Sequence, residues 1–210
     1  YEVGIKTRSE RWGELNVALF ETHTRDEIVT LSNVAGRSTY QNAGASRRRV
    51  LEAAWSKTIA ANVVAEAAYT WLDARYSEPF TACGAAPCTT PNVAIPAGDR
   101  IPGVARSVLH GALAWTPPQG WRAGIEGRLL SRVPVDDANT DAASGYAIAS
   151  VHLGYVKRVG AWELTGFGRV DNLFARRYAG SVIVGEGNAR YFEPAPGRTW
   201  LLGVSATLGF

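Results

Sequence analysis

The sequence predicts an all-β chain whose antiparallel strands cross a lipid bilayer as part of a transmembrane β-barrel. Three observations carry that prediction. Apolar and polar residues alternate with period two, connections alternate between short and long, and tryptophans sit at both ends of the apolar faces. The alternating segments run to about twice the roughly 5–6 residues usual in globular proteins, which argues against a soluble β-sandwich. No apolar run reaches the roughly 18 residues that a transmembrane helix needs. Of the 210 residues, 46% are hydrophobic and 20% charged, which excludes intrinsic disorder.

Along the chain, residues 1–8, 14–30 and 46–58 are predicted as the first three strands, with the least regular alternation. In the fourth, Val63, Ala65, Ala67, Tyr69 and Trp71 alternate against Asn62, Glu66 and Thr70. In the fifth, Leu109, Gly111, Leu113 and Trp115 oppose Arg106, His110 and Thr116. The sixth, Trp121–Val135, has the sharpest contrast. Trp121, Ala123, Ile125, Gly127, Leu129, Ser131 and Val133 form one face, and Arg122, Gly124, Glu126, Arg128, Leu130 and Arg132 the other. Successive strand side chains point to opposite faces, so this strand suits a position between lipid and a wet lumen. The seventh sets Ala147, Ala149, Val151, Leu153 and Tyr155 against Ser150 and His152. The eighth sets Trp162, Leu164 and Val170 against Glu163, Thr165, Arg169 and Asp171. In the ninth, Trp200, Leu202, Val204, Ala206, Leu208 and Phe210 share one face.

Short connections near Ser9–Gly13, Ala60–Ala61, Pro117–Gly120 and Val159–Gly160 read as periplasmic turns. Longer ones over Leu31–Ala45, Pro79–Gly103, Asp136–Ser144 and Ala179–Gly197 read as external loops. Trp115, Trp121 and Trp162 lie beside the short turns, and Trp71 and Trp200 nearer the long loops, as two interfacial girdles require. An unpaired strand edge has no partner in hydrocarbon, and single-chain bacterial barrels have even strand numbers. About nine strands in a chain without Met therefore predict residues 1–210 to be the C-terminal portion of a larger barrel. A complete eight- or ten-stranded barrel with a structural or adhesive role is the alternative.

Cys83 and Cys88 are the only cysteines, and their spacing predicts a local disulfide in an exported protein. A metal pair is the weaker reading, because no second Cys/His pair lies nearby, and neither His110 nor His152 is expected to bind metal. No nucleophile elbow, HExxH or phosphate loop is present, so no catalytic residue and no cofactor is predicted. A net charge of +3, spread along the chain, does not suggest nucleic acid. Arg122, Glu126, Arg128 and Arg132 are predicted as a charged lumen ladder, whose ordinary role is salt-bridging to neighbouring strands.

Val170-Asp171-Asn172-Leu173-Phe174, followed by Arg177-Tyr178, resembles a segment near the end of TonB-dependent outer-membrane receptors. Arg190–Trp200 is similar to the stretch leading into that family's last strand, and Tyr1–Lys6 and Gln41–Gly44 to segments further upstream. Ala175 departs from the family, which usually carries Asp there, and so does Arg49-Val50-Leu51-Glu52, where a Gly usually precedes the Glu. The resemblance implies a 22-stranded barrel in the bacterial outer membrane, occluded by an N-terminal plug domain that this chain lacks. It implies import of a scarce nutrient with energy delivered through the TonB complex, contacted by the absent N-terminal region.

On this resemblance a ferric siderophore is the default ligand, and Arg190, Tyr191 and Phe192 are candidate contacts, a cation beside aromatics suiting an anionic, flat chelate. Their ordinary role is packing the loop above the barrel. Phe210 matches the C-terminal aromatic read by the outer-membrane assembly machinery. The absence of Met argues against copper, and the absence of the haem-receptor boxes against haem. Cobalamin and oligosaccharides stay open.

Overall fold

The alternating segments are rich in Val, Leu, Ala and aromatic residues, which fit a pleated surface whose successive side chains leave on opposite faces. The computed structural model describes all residues except Gly36, Ala85, Thr89 and Phe210, and the described residues form strands without a helix. In chain order they are β1 (Glu2–Ser9), β2 (Gly13–Thr24), β3 (Ile28–Val34), β4 (Arg37–Asn42), β5 (Ser46–Ala60) and β6 (Val63–Tyr76). There follow β7 (Phe80–Ala82), β8 (Val93–Ile95), β9 (Ser107–Trp115), β10 (Gly120–Leu130), β11 (Val133–Pro134) and β12 (Ala142–Ala143). The last are β13 (Tyr146–Val159), β14 (Trp162–Asp171), β15 (Ala179–Val182), β16 (Phe192–Pro194) and β17 (Thr199–Leu208).

Nine strands make one antiparallel sheet in the order β1-β2-β5-β6-β9-β10-β13-β14-β17. The others pair into four small hairpins, β3-β4, β7-β8, β11-β12 and β15-β16, one in each long connection. All short turns therefore lie at one end of the sheet and all hairpins at the other. Each short turn holds a residue of positive φ (Gly13, Asn62, Gly120 or Gly160), the left-handed geometry that a tight reversal requires.

The register makes the apolar face continuous. Ile125 stands opposite Leu113 and Val151, and the same level runs on through Val170 to Trp200. These side chains are not buried by protein: Ile125 is 49% exposed, Leu153 52% and Leu202 80%. An apolar face of this extent needs hydrocarbon to cover it. At the short-turn end the indole N–H of Trp55 donates to the carbonyl of Trp12 at 2.7 Å, adding two tryptophans to the lower girdle.

Two boundaries differ from the expectation. The segment 14–30 is not one strand, because β2 stops at Thr24 and Asp26, at φ 55°, turns the chain into the β3-β4 hairpin. The segment Trp121–Val135 breaks after Leu130, and Val133 then pairs with Ala143 in the β11-β12 hairpin. Val133 is accordingly buried by the external loops and does not face lipid.

The main buried cluster lies in the external layer, where Val29, Ala43, Tyr76, Ala82 and Ile95 pack together with Phe80, Val93, Ile101 and Ala138.

Candidate functional site

The four hairpins form a stitched cap. Asn33 of β3 makes a parallel bridge to Glu186, and the Gly187 N–H donates to the Asn33 carbonyl at 2.8 Å. The Ala86 N–H donates to the Gly187 carbonyl at 3.0 Å, and the Gly185 N–H to the Val135 carbonyl at 2.9 Å. The segment between β15 and β16 thus touches the other three hairpin regions. These backbone bonds satisfy groups that would otherwise be orphaned under the cap.

A recess of about 190 Å³ opens between these loops, lined by Leu31, Ile95, Asp136, Asp137, Ala138 and Tyr191 among others. Its carboxylates are already engaged. Tyr76 donates its hydroxyl to Asp137 Oδ1 at 2.6 Å, and Asp136 accepts from the Thr140 N–H and hydroxyl at 2.9 and 2.6 Å. Burial pushes the Asp137 carboxyl above the ordinary carboxylate range, which the Tyr76 hydrogen bond opposes. The Tyr191 phenol is likewise raised, first by burial and then by Asp136.

The predicted loop residues separate. Tyr191 lines the recess and meets Phe192 edge-to-face at 6.1 Å. Phe192 and Arg190 are exposed, and the Arg190 backbone N–H is held by Asn188 Oδ1 at 2.9 Å. The cation–π pairs found among the described residues lie elsewhere, at Arg11–Trp12 and Arg106–Trp71.

The predicted ladder also divides. Arg122 Nε donates to the Pro117 carbonyl at 3.0 Å and pins the short turn. Glu126 pairs across β13 with Arg169, which also reaches Asp171 at 2.7 Å. Arg128, with His110 and Tyr178, borders a lumenal hollow of about 330 Å³. Arg132 lies beyond the end of β10 and is exposed in the external layer. The His152 ring occupies the space where a Cβ on Gly124 would stand. Cys83 and Cys88 are joined with Cα atoms 5.8 Å apart, inside the connection between β7 and β8. Phe210 lies outside the described residues. Among the described residues, no group of three or more His, Cys, Asp or Glu is placed to hold a metal.

Sequence reasoning missed one polar cluster. Arg48, on the inner face of β5, donates to both carboxylate oxygens of Glu27 at 2.9 Å, and Ser46 and Thr24 join it. The Arg48 hydrogen bond holds the Glu27 carboxyl below its ordinary range against the effect of burial. Glu27 sits in the turn after β2, where no periodicity marks it.

A hollow of about 560 Å³ between Trp121, Tyr155 and Leu202 is on the opposite, lipid-facing side of the sheet and is not a route for a polar ligand.

A nine-stranded antiparallel wall with an apolar exterior, a charged interior and a loop cap at one end defines a section of a transmembrane β-barrel. The TonB dependent receptor-like, beta-barrel family matches residues 1–173, and the chain belongs to that family. Its members are outer-membrane transporters and not enzymes. The fold is similar to the siderophore receptor PiuA from Acinetobacter baumannii, with TM-score 0.75 and 22% identity over 98% of this chain and 27% of that one. It is also similar to BauA, the ferric preacinetobactin receptor from Acinetobacter baumannii, with TM-score 0.71, 17% identity, and 98% and 28% coverage. The ferric yersiniabactin uptake receptor FyuA from Yersinia pestis gives TM-score 0.69, 21% identity, and 100% and 29% coverage. The chain therefore spans under a third of the length of these solved receptors.

Proposed function

We propose that this chain supplies the C-terminal part of the barrel of a bacterial outer-membrane receptor that imports a ferric siderophore with energy delivered through TonB. The observation that carries this reading is the family match over residues 1–173, joined to a wall whose hairpins converge on one external recess. PiuA, BauA and FyuA are a siderophore receptor, a ferric preacinetobactin receptor and a ferric yersiniabactin uptake receptor, which supports the ligand class. The wall has free edges at β1 and β17, and in hydrocarbon each needs another strand. In this reading, strands and a plug from the rest of the receptor close the barrel and contact TonB, and Phe210 is the residue that the assembly machinery reads.

Ligand contact is assigned to the rim of the external recess. Tyr191 offers an aromatic wall there, Phe192 packs on it, and exposed Arg190 supplies a cation for an anionic chelate. The test is uptake of radioiron-labelled siderophores by cells carrying the intact receptor, with and without a working TonB. Uptake that vanishes without TonB is expected, together with binding weakened on the order of tenfold by Arg190→Ala or Tyr191→Ala. Uptake indifferent to TonB, or saturable binding of cobalamin and of no ferric chelate, overturns it.

A further inference from the structure

The external recess is lined by acids and by no Lys or Arg. Asp136 and Asp137 stand in its wall, Asp137 at 8% exposure, and Glu186 sits between two further wall residues, Gly185 and Gly187, at 5%. Among the described residues, none of these carboxylates belongs to an ion pair, and neither does Asp141. Asp136 accepts from Thr140 and Asp137 from Tyr76, but those donors are neutral. An ionised carboxylate has about four lone-pair sites to fill. Asp137 Oδ2 has no donor among the described residues, and Glu186 Oε1 and Asn33 Oδ1 are enclosed without one. The same charges reach the aromatic side of the recess, where the Tyr191 phenol is pushed up by burial and then by Asp136, Asp141 and Glu186. Buried charge of one sign is costly until a counter-charge joins it.

The remaining walls select the kind of cation. A hard metal ion takes roughly six or more converging oxygens, whereas Leu31, Ala82, Val93, Ile95 and Ala138 make much of this lining aliphatic. An alkyl chain that ends in an ammonium satisfies both parts. Its methylenes lie against the aliphatic walls, and its three N–H donors meet the open carboxylate oxygens. The Tyr191 ring on the same recess adds a cation–π partner. At about 190 Å³ the recess is smaller than the roughly 300–1,000 Å³ of sites that enclose a whole small ligand. An arm enters, and the bulk of the molecule stays at the rim beside exposed Arg190.

We infer that the recess is a subsite for a primary alkylammonium arm carried by the imported ferric chelate, with Asp136 and Asp137 as its anionic end. The inference deepens the proposed function and rests on it for the molecule that bears the arm. The rim and the recess then divide the ligand, Arg190 facing the oxygens of the chelate and the acids facing its amine.

The test uses the intact receptor in nanodiscs and hydrogen exchange at the Gly185 and Gly187 amides, which donate to the Val135 and Asn33 carbonyls beside the recess. Pentylammonium is expected to slow their exchange saturably. N-pentylacetamide, the same arm without its charge, should need at least about tenfold more for the same slowing. Asp136→Asn combined with Asp137→Asn is expected to abolish that preference, while Arg11→Gln at the periplasmic turn keeps it. Asp136→Asn alone, at a partly exposed side chain, should narrow the preference and keeps the test open if the double variant fails to fold. Ferrioxamine B, a ferric trihydroxamate that ends in a pentylammonium, is the chelate probe, and acetylating its amine is expected to weaken binding at least about tenfold. Equal slowing by pentylammonium and N-pentylacetamide, or a preference that survives the double variant, overturns the subsite. Equal binding of the two chelates overturns the imported ligand as the carrier of the arm. Siderophore uptake indifferent to TonB, with the pentylammonium preference intact, counts against the proposed import and leaves the subsite standing.

Discussion

The bilayer-spanning sheet and the external cap come from one chain and obey opposite solvent rules. In the sheet, Ile125 and Leu202 turn outward and are 49% and 80% exposed, while Glu126 and Arg169 turn inward and pair. In the cap, Tyr76 and Ile95 are 2% and 1% exposed, and charged residues such as Arg190 lie outside. Hydrophobic burial acts in both, but hydrocarbon covers the sheet from outside and protein covers the cap from within. Inside and outside are therefore defined by the medium next to each region and not by residue type.

The largest expected effect lies in the sheet. Ile125→Arg puts a guanidinium on the lipid face near the midplane and should cost about 2–4 kcal/mol of barrel stability, read from denaturant unfolding in bilayers. Ala54→Arg, on the inner face between Asn16 and Ala68, is the matched control and should cost far less. Equal penalties undo the facing assignment. Gly124 is not a usable control, since a side chain there collides with the His152 ring.

Next comes the cap. Tyr76→Phe leaves the buried Asp137 carboxyl without its 2.6 Å donor. It should loosen the cap by about 1.5–3 kcal/mol, seen as faster protease cleavage of the loops with the sheet still heat-modifiable. A variant that unfolds sheet and cap together shows that the two regions are one cooperative unit.

Removing the Cys83–Cys88 bond by Cys83→Ser should free roughly 2 kcal/mol of loop-closure entropy. Faster cleavage confined to the connection between β7 and β8 is expected. Spread of the effect to β1 or β17 contradicts the separation of cap from sheet.

The smallest effect is a pH dependence. The Glu27 carboxyl is held below its ordinary value of 4.5 chiefly by the Arg48 hydrogen bond. A depressed acid stabilises the fold above its ordinary value and loses that stabilisation as pH falls through the depressed one. Protease resistance of the cap should therefore fall on acidification below about pH 4 in native protein. Glu27→Gln should show the weakened cap already at neutral pH and a flatter acid response.

Legibility in the sequence followed the same division. Period-two alternation is local, so Trp121–Leu129 and Trp200–Leu208 announced their outward faces without any knowledge of neighbours. Turn lengths are local too, and all four short reversals lie where the sequence puts them. Arg190, Tyr191 and Phe192 were legible as a cation beside aromatics, but that Tyr191 lines the recess while Arg190 and Phe192 are exposed was not, because loop side chains carry no period. Nothing in the sequence pattern singles out Arg48, and only the fold sets Glu27, from the turn after β2, against it.

The sequence by itself determined the alternation of faces, the order of short and long connections and the family, because each depends on neighbours along the chain. The tertiary structure decided which residues form the cap core and which inward charges pair. Those outcomes depend on register between strands far apart in sequence, where a one-residue slip sends every side chain to the other face.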